Sequence, residues 1–251
     1  MISKNTIRLV KSLEQKKNRL REGLFVAEGP KVVGDLMAHG MRPARLMAVR
    51  EWINEHAEAR ADEVTADELR RISFLQHPQQ VMGLFPLPDT HTAPDPRCPQ
   101  NELCLALDGV QDPGNVGTIL RVADWFGLRT VYCSPDTADV YSPKVVQATM
   151  GSIARVEVAY VDLPRYFSSL PQSVPIYGTL LDGENLYTKP LSATGIIVMG
   201  NEGKGISPEV RAMVGERLLI PRFTSGEGAE SLNVAIATAV VCSEFRRRNG
   251  L

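Results

Sequence analysis

No apolar run in the 251-residue sequence approaches the roughly 20 residues that a membrane-spanning helix needs. The opening stretch MISKNTIRLVKSLEQKKNRLREG is charged and amphipathic, without the continuous apolar centre of a secretory leader, so the chain is expected in the cytoplasm with no membrane partner. Cysteine is scarce: Cys98, Cys104, Cys133 and Cys242 form no C-x-x-C pair and have no histidine at ligand spacing, which excludes a disulfide framework and a zinc site. Both nucleotide fingerprints are missing. Lys204 is followed by Gly205 rather than Ser or Thr, and no strand leads into G-x-G-x-x-G, so neither a phosphate loop nor a Rossmann-type site is encoded. Net charge is also nearly absent, at -1, which argues against a protein that simply coats nucleic acid. What the sequence does have is 43% hydrophobic and 23% charged residues at a mean hydropathy of -0.11, enough apolar material for a substantial core.

The charge is unevenly placed. Residues 1 to 21 hold seven cations (Lys4, Arg8, Lys11, Lys16, Lys17, Arg19, Arg21) against Glu14 alone, a local excess of +6, whereas residues 102 to 251 sum to -3. The cluster reads either as a solvated helix face or as a phosphate-attracting end. Residues 86 to 101 carry five of the 17 prolines and little to bury, as an extended linker would. The expected organisation is a domain over 1–87, a proline-rich linker over 88–101 and a second domain over 102–251.

Strand and helix signals alternate on both sides of the linker, so the fold class is α/β throughout. Before it, one helical face of Ile7, Val10, Leu13 and Leu20 leads into the short apolar strand LFVA, and Pro30 opens a helix that Gly40 closes. After it, LCLALDGV, TVYCS, RVEVAYV, PIYGTLL, GIIVMG and RLLIP are apolar at consecutive rather than alternate positions, as parallel strands covered on both faces are. Ligands of such sheets bind where loops leave the carboxyl ends of strands, so the loops after Asp108, Met199 and Ile220 are the places for chemistry.

The first of these, DGVQDPGNVGTILRVADWFG, places Asn115 at an expected N-cap and Arg121 on the second turn of the helix that follows. The second, MGNEGKGIS, surrounds Asn201, Glu202 and Lys204 with glycines that let backbone approach a ligand, and Ser207 and Pro208 read as N-cap and first position of a helix. The third, IPRFTSGEGAESLNV, enters a long helix for which Ser231 reads as the N-cap. Asn233 then falls in its first turn, where asparagine is a poor helix former without capping duty, and this invites a functional reading.

In this order and after these strands, N-x-G-x-x-x-R at 115–121, G-N-E-G-x-G at 200–205 and I-P…S-L-N-V at 220–234 resemble the three motifs of the SpoU (TrmH) family of RNA ribose 2'-O-methyltransferases, within the SPOUT superfamily. FVAEGPKVVGDLMAHG at 25–40 is similar to the opening of the substrate-binding domain, like ribosomal protein L30e, that precedes many of these enzymes. The resemblance implies a SPOUT fold with a parallel sheet flanked by helices and a trefoil knot, behind an L30e-like α/β domain. It implies S-adenosylmethionine as cofactor, no metal, a tRNA or rRNA substrate and a homodimer in which the strip Val234, Ala237, Val241 and Phe245 faces either a partner or the core. Carried over by residue, Arg121, Asn115, Glu202, Ser231 and Asn233 are the catalytic candidates, with Glu202 either chemical or structural. Thr179, Leu180, Gly200, Asn201, Gly205, Ile220 and Leu232 are the cofactor-binding candidates. The excursion over 222–230 is longer than the usual family connection. The competing reading is a catalytically inactive RNA-binding protein of the same fold.

Overall fold

The computed structural model describes residues 2–88, 95, 97–224 and 230–249. Most of the expected linker centre (89–94 and 96) and the middle of the long third loop (225–229) lie outside the described residues. The chain forms two compact units. Unit 1 comprises 1–89 and 139–155; unit 2 comprises 90–138 and 156–251.

Unit 1 runs α1 (Lys4–Ser12), α2 (Lys16–Glu22), β1 (Leu24–Glu28), α3 (Pro30–Ala38), β2 (Arg45–Ala48), α4 (Arg50–Glu55), β3 (Asp62–Glu63), α5 (Ala66–Ile72) and β4 (Val81–Pro86). Its sheet has the order β1-β4-β2-β3, antiparallel except for the β2–β3 pair. Local signals account for the boundaries. Pro30 follows Gly29 at φ +91, and Thr65 and Glu68 form a reciprocal capping box on α5. Val10, Leu13, Val26, Met47, Leu69, Ile72, Met82 and Leu84 supply a common core.

The single helical face expected at the amino terminus is broken. The chain turns between α1 and α2, Leu20 is 55% exposed, and the residue carried inward is Arg19, at 2% exposure. Its guanidinium donates to the carbonyls of Leu13 (2.6 Å) and Glu14 (2.7 Å), which the end of α1 leaves without helical partners, and to Asp139 (2.5 Å). Capping orphan carbonyls with a paired cation offsets the desolvation of the charge.

Asp139 belongs to a stretch that the composition break had assigned wholly to the second domain. Residues 139–155 instead fold into unit 1, where α8 (Pro143–Ala148) packs on β1, the Tyr141 ring lies tilted at 4.9 Å from that of Phe25, and Arg155 pairs with Asp35 at 3.2 Å.

Unit 2 contains α6 (Cys98–Asn101), β5 (Leu103–Asp108), α7 (Pro113–Trp125), β6 (Thr130–Cys133), β7 (Glu157–Tyr160), α9 (Leu163–Ser168), β8 (Ile176–Asn185), β9 (Gly195–Gly200), α10 (Pro208–Arg211), β10 (Glu216–Leu219) and α11 (Val234–Asn249). Its six strands are ordered β10-β8-β9-β5-β6-β7 and all pair in parallel, as the consecutive apolar residues anticipate. The chain builds outward from β5 through β6 and β7, then resumes on the other side of β5 with β9 as its neighbour. That reversal puts the topological switch point, where open parallel sheets bind their ligands, at the carboxyl ends of β5 and β9.

Two further features shape that edge. Between Arg217↔Gly178 and Leu218↔Glu184 the β8–β10 register jumps, leaving 179–183 outside the ladder. A Cβ on Gly183 would come within 2.5 Å of the Leu218 backbone, so the return of this bulge needs glycine. Helix α11 packs on α7, and Arg246 clamps the pair by donating to the carbonyls of Phe126 (2.7 Å) and Gly127 (3.0 Å) at the end of α7. Among the described residues no helix is long and apolar enough to cross a membrane.

Candidate active site

The three loops that carry the motifs leave the carboxyl ends of β5, β9 and β10. In the first, the N-cap of α7 is Asp112, whose carboxylate accepts from the Asn115 amide at 2.8 Å; Pro113 is the first helical residue. Asn115 therefore lies one turn inside the helix rather than at the expected cap, and its side chain is released from capping.

In the third loop the capping assignment moves the other way. Helix α11 starts at Val234, and the side-chain oxygen of Asn233 accepts from the amides of Ala235 (3.0 Å) and Ile236 (3.3 Å). Asn233, not Ser231, is the N-cap. The expected helix start was two residues early, which placed a good capping residue in the helix interior.

These two displacements join the three motifs. The Asn233 oxygen is committed to the amides of α11, so its Nδ2 donates to Asn115 Oδ1 at 2.9 Å. Asn115 Oδ1 is thereby an acceptor, and its Nδ2 donates to Glu202 Oε1 at 2.7 Å. The N-terminus of α11 thus sets the polarity of both amides, and the chain of hydrogen bonds ends on a carboxylate.

The second loop holds Glu202 on a tight return. Asn201 and Gly205 exchange backbone hydrogen bonds (3.0 and 2.8 Å), and Asn201 Oδ1 accepts from the amides of Gly203 and Lys204. A Cβ on Gly200 would lie 2.4 Å from the backbone of Gly205 and Ile206, so only glycine permits this approach, and Gly205 itself adopts φ +71. Asn201 Nδ2 donates to the carbonyl of Gly109 at 2.7 Å. Its side chain and its backbone amide are thus both spent on holding the loop.

Asn115, Glu202 and Asn233 are thus brought together; the other two catalytic candidates are not joined to them. Arg121 is exposed on the third turn of α7, without a hydrogen bond or ion pair among the described residues, about 120° around the helix from Asn115. Ser231 is exposed and precedes the cap by two residues.

Of the cofactor candidates, Thr179 and Leu180 lie in the β8 bulge, with Thr179 donating to the Val198 carbonyl at 3.1 Å and Leu180 packed against the core. Ile220 leaves β10 half-buried, and Leu232 is 51% exposed. Leu181 and Phe223, at 78% and 86% exposure, share this edge of the sheet. Exposed apolar side chains beside glycine-rich backbone suit the face of a purine ring. Among the described residues no group of three or more His, Cys, Asp or Glu is placed to hold a metal ion.

Asp108 stands outside the motif positions but beside them. It ends a strand whose six residues are all buried, and a charged residue in that place was the signal available.

Comparison with known proteins gives a consistent answer. Residues 102–243 match the SpoU rRNA Methylase family, and residues 4–83 match the MRM3-like substrate binding domain. The chain is 30% identical over 241 residues to the 23S rRNA (guanosine(2553)-2'-O)-methyltransferase RlmP of Bacillus subtilis (strain 168), covering 94% of each chain. Among solved structures, a TrmH-family protein from Porphyromonas gingivalis superposes with a TM-score of 0.86 at 46% identity, covering 99% of this chain and 100% of the other. An AdoMet-bound rRNA methyltransferase from Sinorhizobium meliloti gives a TM-score of 0.86 at 30% identity, covering 99% and 97%.

Proposed function

The chain belongs to the SpoU rRNA methylase family, and on that premise we propose how its loops share the work. The protein is an enzyme that methylates a ribose 2'-hydroxyl in structured RNA, tRNA or rRNA, using S-adenosylmethionine. The observation that carries the residue-level reading is the hydrogen-bond chain from Asn233 through Asn115 to Glu202, which fixes polar groups from all three motifs at one edge of the sheet.

S-adenosylmethionine supplies a methyl group on a cationic sulfur, an electrophile that needs no metal to activate it. Gly200, Asn201 and Gly205 would shape its seat through their close backbone return, with Thr179, Leu180 and Ile220 at the neighbouring strand ends and Leu232 against the adenine. The 2'-hydroxyl must lose its proton as it attacks. A guanidinium is a poor base, so Arg121 serves as the stabiliser of developing alkoxide charge and as a clamp on an adjacent phosphate, with the proton passing to phosphate oxygen or water. Glu202 uses one oxygen to accept from Asn115; its second takes no hydrogen bond from the described residues and is the acceptor for a ribose hydroxyl. Ser231, Asn115 and Asn233 position the ribose and the donor.

Arg121 stands apart from the hydrogen-bond chain, which favours its delivery to the site of a second copy in a homodimer. Trp125, one turn beyond it and 85% exposed, and Ile236 on the adjoining α11, 54% exposed, supply the apolar contact. The strip weighed for this role from the sequence does not, because Val234, Val241 and Phe245 face the core. Sedimentation at micromolar concentration tests the dimer; a monomer there overturns it.

Unit 1 supplies the encounter with RNA. Of the seven cations over residues 1–21, all but Arg19 are exposed. Phosphate contacts of this kind make affinity fall steeply with salt. The protein acts in the cytoplasm, where its RNA substrate is found.

Incubation with methyl-labelled S-adenosylmethionine and tRNA or rRNA, followed by digestion to nucleosides, tests the reading. A 2'-O-methyl nucleoside is expected; a base-methylated product overturns it.

A further inference from the structure

We propose that Asp108 is a positioning residue for methyl transfer, acting on the cofactor through the backbone of the 200–207 loop; this rests on the reading of that loop as the one that holds the methyl donor.

Asp108 is 7% exposed at the end of β5, and burying a carboxylate is unfavourable unless its oxygens find donors. Among the described residues no cation pairs with it. Its Oδ2 instead accepts from the backbone amide of Ser207, 99 residues away, at 2.6 Å. A charged acceptor makes this hydrogen bond stronger than a neutral one would. Ser207 is the N-cap of the short helix α10, whose first residue is Pro208, so its amide is not claimed by that helix.

The next residue completes the grip. Gly109, at φ +68, accepts from Asn201 Nδ2 through its carbonyl (2.7 Å), while its own amide donates to Ser134 Oγ (2.8 Å). Two consecutive residues of the first motif loop therefore hold the second loop near its beginning, at Asn201, and at its end, at Ser207. Asp108 also faces Gly200 across the β5–β9 ladder, so the hold is referenced to the rigid centre of the sheet. What lies between the two anchors, including the residues Gly205 and Ile206 that return close to Gly200 and the placement of Glu202 against Asn115, depends on both. Losing the Ser207 anchor frees the C-terminal half of the loop while leaving the strand ladder and the core intact.

The test is calorimetric titration of the full chain with S-adenosylhomocysteine, alongside steady-state kinetics and hydrogen exchange. Asp108→Ala is expected to weaken binding about tenfold and to raise KM for S-adenosylmethionine by the same factor. KM for RNA should stay unchanged, and amide exchange should accelerate over 200–207 alone. Asp108→Asn keeps an acceptor oxygen and is expected to bind within about threefold of the parent. A wild-type chain that does not bind S-adenosylhomocysteine overturns the reading of the loop. A wild-type chain that binds, with Asp108→Ala binding equally well, overturns the positioning role alone. Should Asp108→Ala fail to fold, Asp108→Leu has the same branching at Cγ and fills the space without an acceptor for the Ser207 amide. That variant must then reproduce the tenfold loss, and normal binding by it sinks the proposal.

Discussion

The two units treat a buried carboxylate in opposite ways. In unit 1, Glu28 accepts from the Ser73 hydroxyl (2.5 Å) and the Phe74 amide (2.8 Å), and burial outweighs these bonds, raising its pKa above the ordinary 4.5. In unit 2, Glu244 lies between Arg247 (2.8 Å) and Arg248 (2.6 Å), and the hydrogen bonds from Arg247, then Arg248, carry its pKa down to about 2. The contrast extends to the rest of each unit. Unit 1 buries one of the seven cations over residues 1–21, Arg19, and turns the other six outward, which suits a surface that collects a polyanion. Unit 2 spends the three arginines at the end of α11 on its own carbonyls and carboxylate, and holds its uncommitted polar groups at one edge of a parallel sheet.

If chemistry belongs to unit 2, the largest effect should come from Arg121→Ala. Losing one charge-stabilising contact typically costs on the order of 3 kcal/mol, or about a hundredfold in rate. Single-turnover kinetics should show that loss while calorimetry finds cofactor affinity unchanged; near-normal turnover would remove Arg121 from the mechanism.

If encounter belongs to unit 1, reversing the exposed Lys4, Arg8 and Lys17 to glutamate should lower RNA affinity at least tenfold at low salt and flatten its salt dependence. Arg19 is unsuitable for such a reversal, because it is buried against Leu13, Glu14 and Asp139. Unchanged affinity would make the cluster a solvated helix face. Deleting the chain up to Asn101 is a poorer test than the domain boundaries suggest: it strips β1 from α8 and uncovers Val145 and Val146.

A finer probe separates fold from chemistry at one residue. Asn233→Ala should lower stability by about 1 kcal/mol through the lost cap and reduce turnover as well. Asn233→Asp keeps the capping oxygen but turns the donor to Asn115 into a charged acceptor, so it should unfold at a higher temperature than Asn233→Ala while turnover still falls. Equal melting temperatures for the two variants would contradict the capping role.

The smallest effects are in the pH dependence of stability. Glu28 has a raised pKa, so its contribution is most favourable below pH 4.5 and declines as pH rises through its folded value. Glu244 has a lowered one, so its stabilisation is present above 4.5 and is lost as pH falls toward 2. Denaturant unfolding of Glu28→Gln and Glu244→Gln between pH 3 and 7 should give stability differences from the parent with opposite pH slopes. Slopes of the same sign would erase the contrast between the units.

Much of this protein is written in local pattern. Consecutive apolar residues specify buried parallel strands, proline and glycine mark helix ends, and the order of the motif loops after β5, β9 and β10 marks the edge where the site lies. These features depend on neighbours in the chain, which is why a sequence alone determines them. Ser231 and Asn233 are both good capping residues, and what tells them apart is that the amides of Ala235 and Ile236 donate to the Asn233 side chain. Arg19 could not be told from the six exposed cations around it, since its burial depends on Asp139 and on carbonyls exposed only once α1 ends. The placement of 139–155 in unit 1, the polarity of the Asn233–Asn115–Glu202 chain and the hold of Asp108 on Ser207 all join residues between 87 and 120 positions apart, or regroup whole segments. Tertiary structure alone decided those, because a buried polar group takes whichever partner the packed core brings within hydrogen-bond reach.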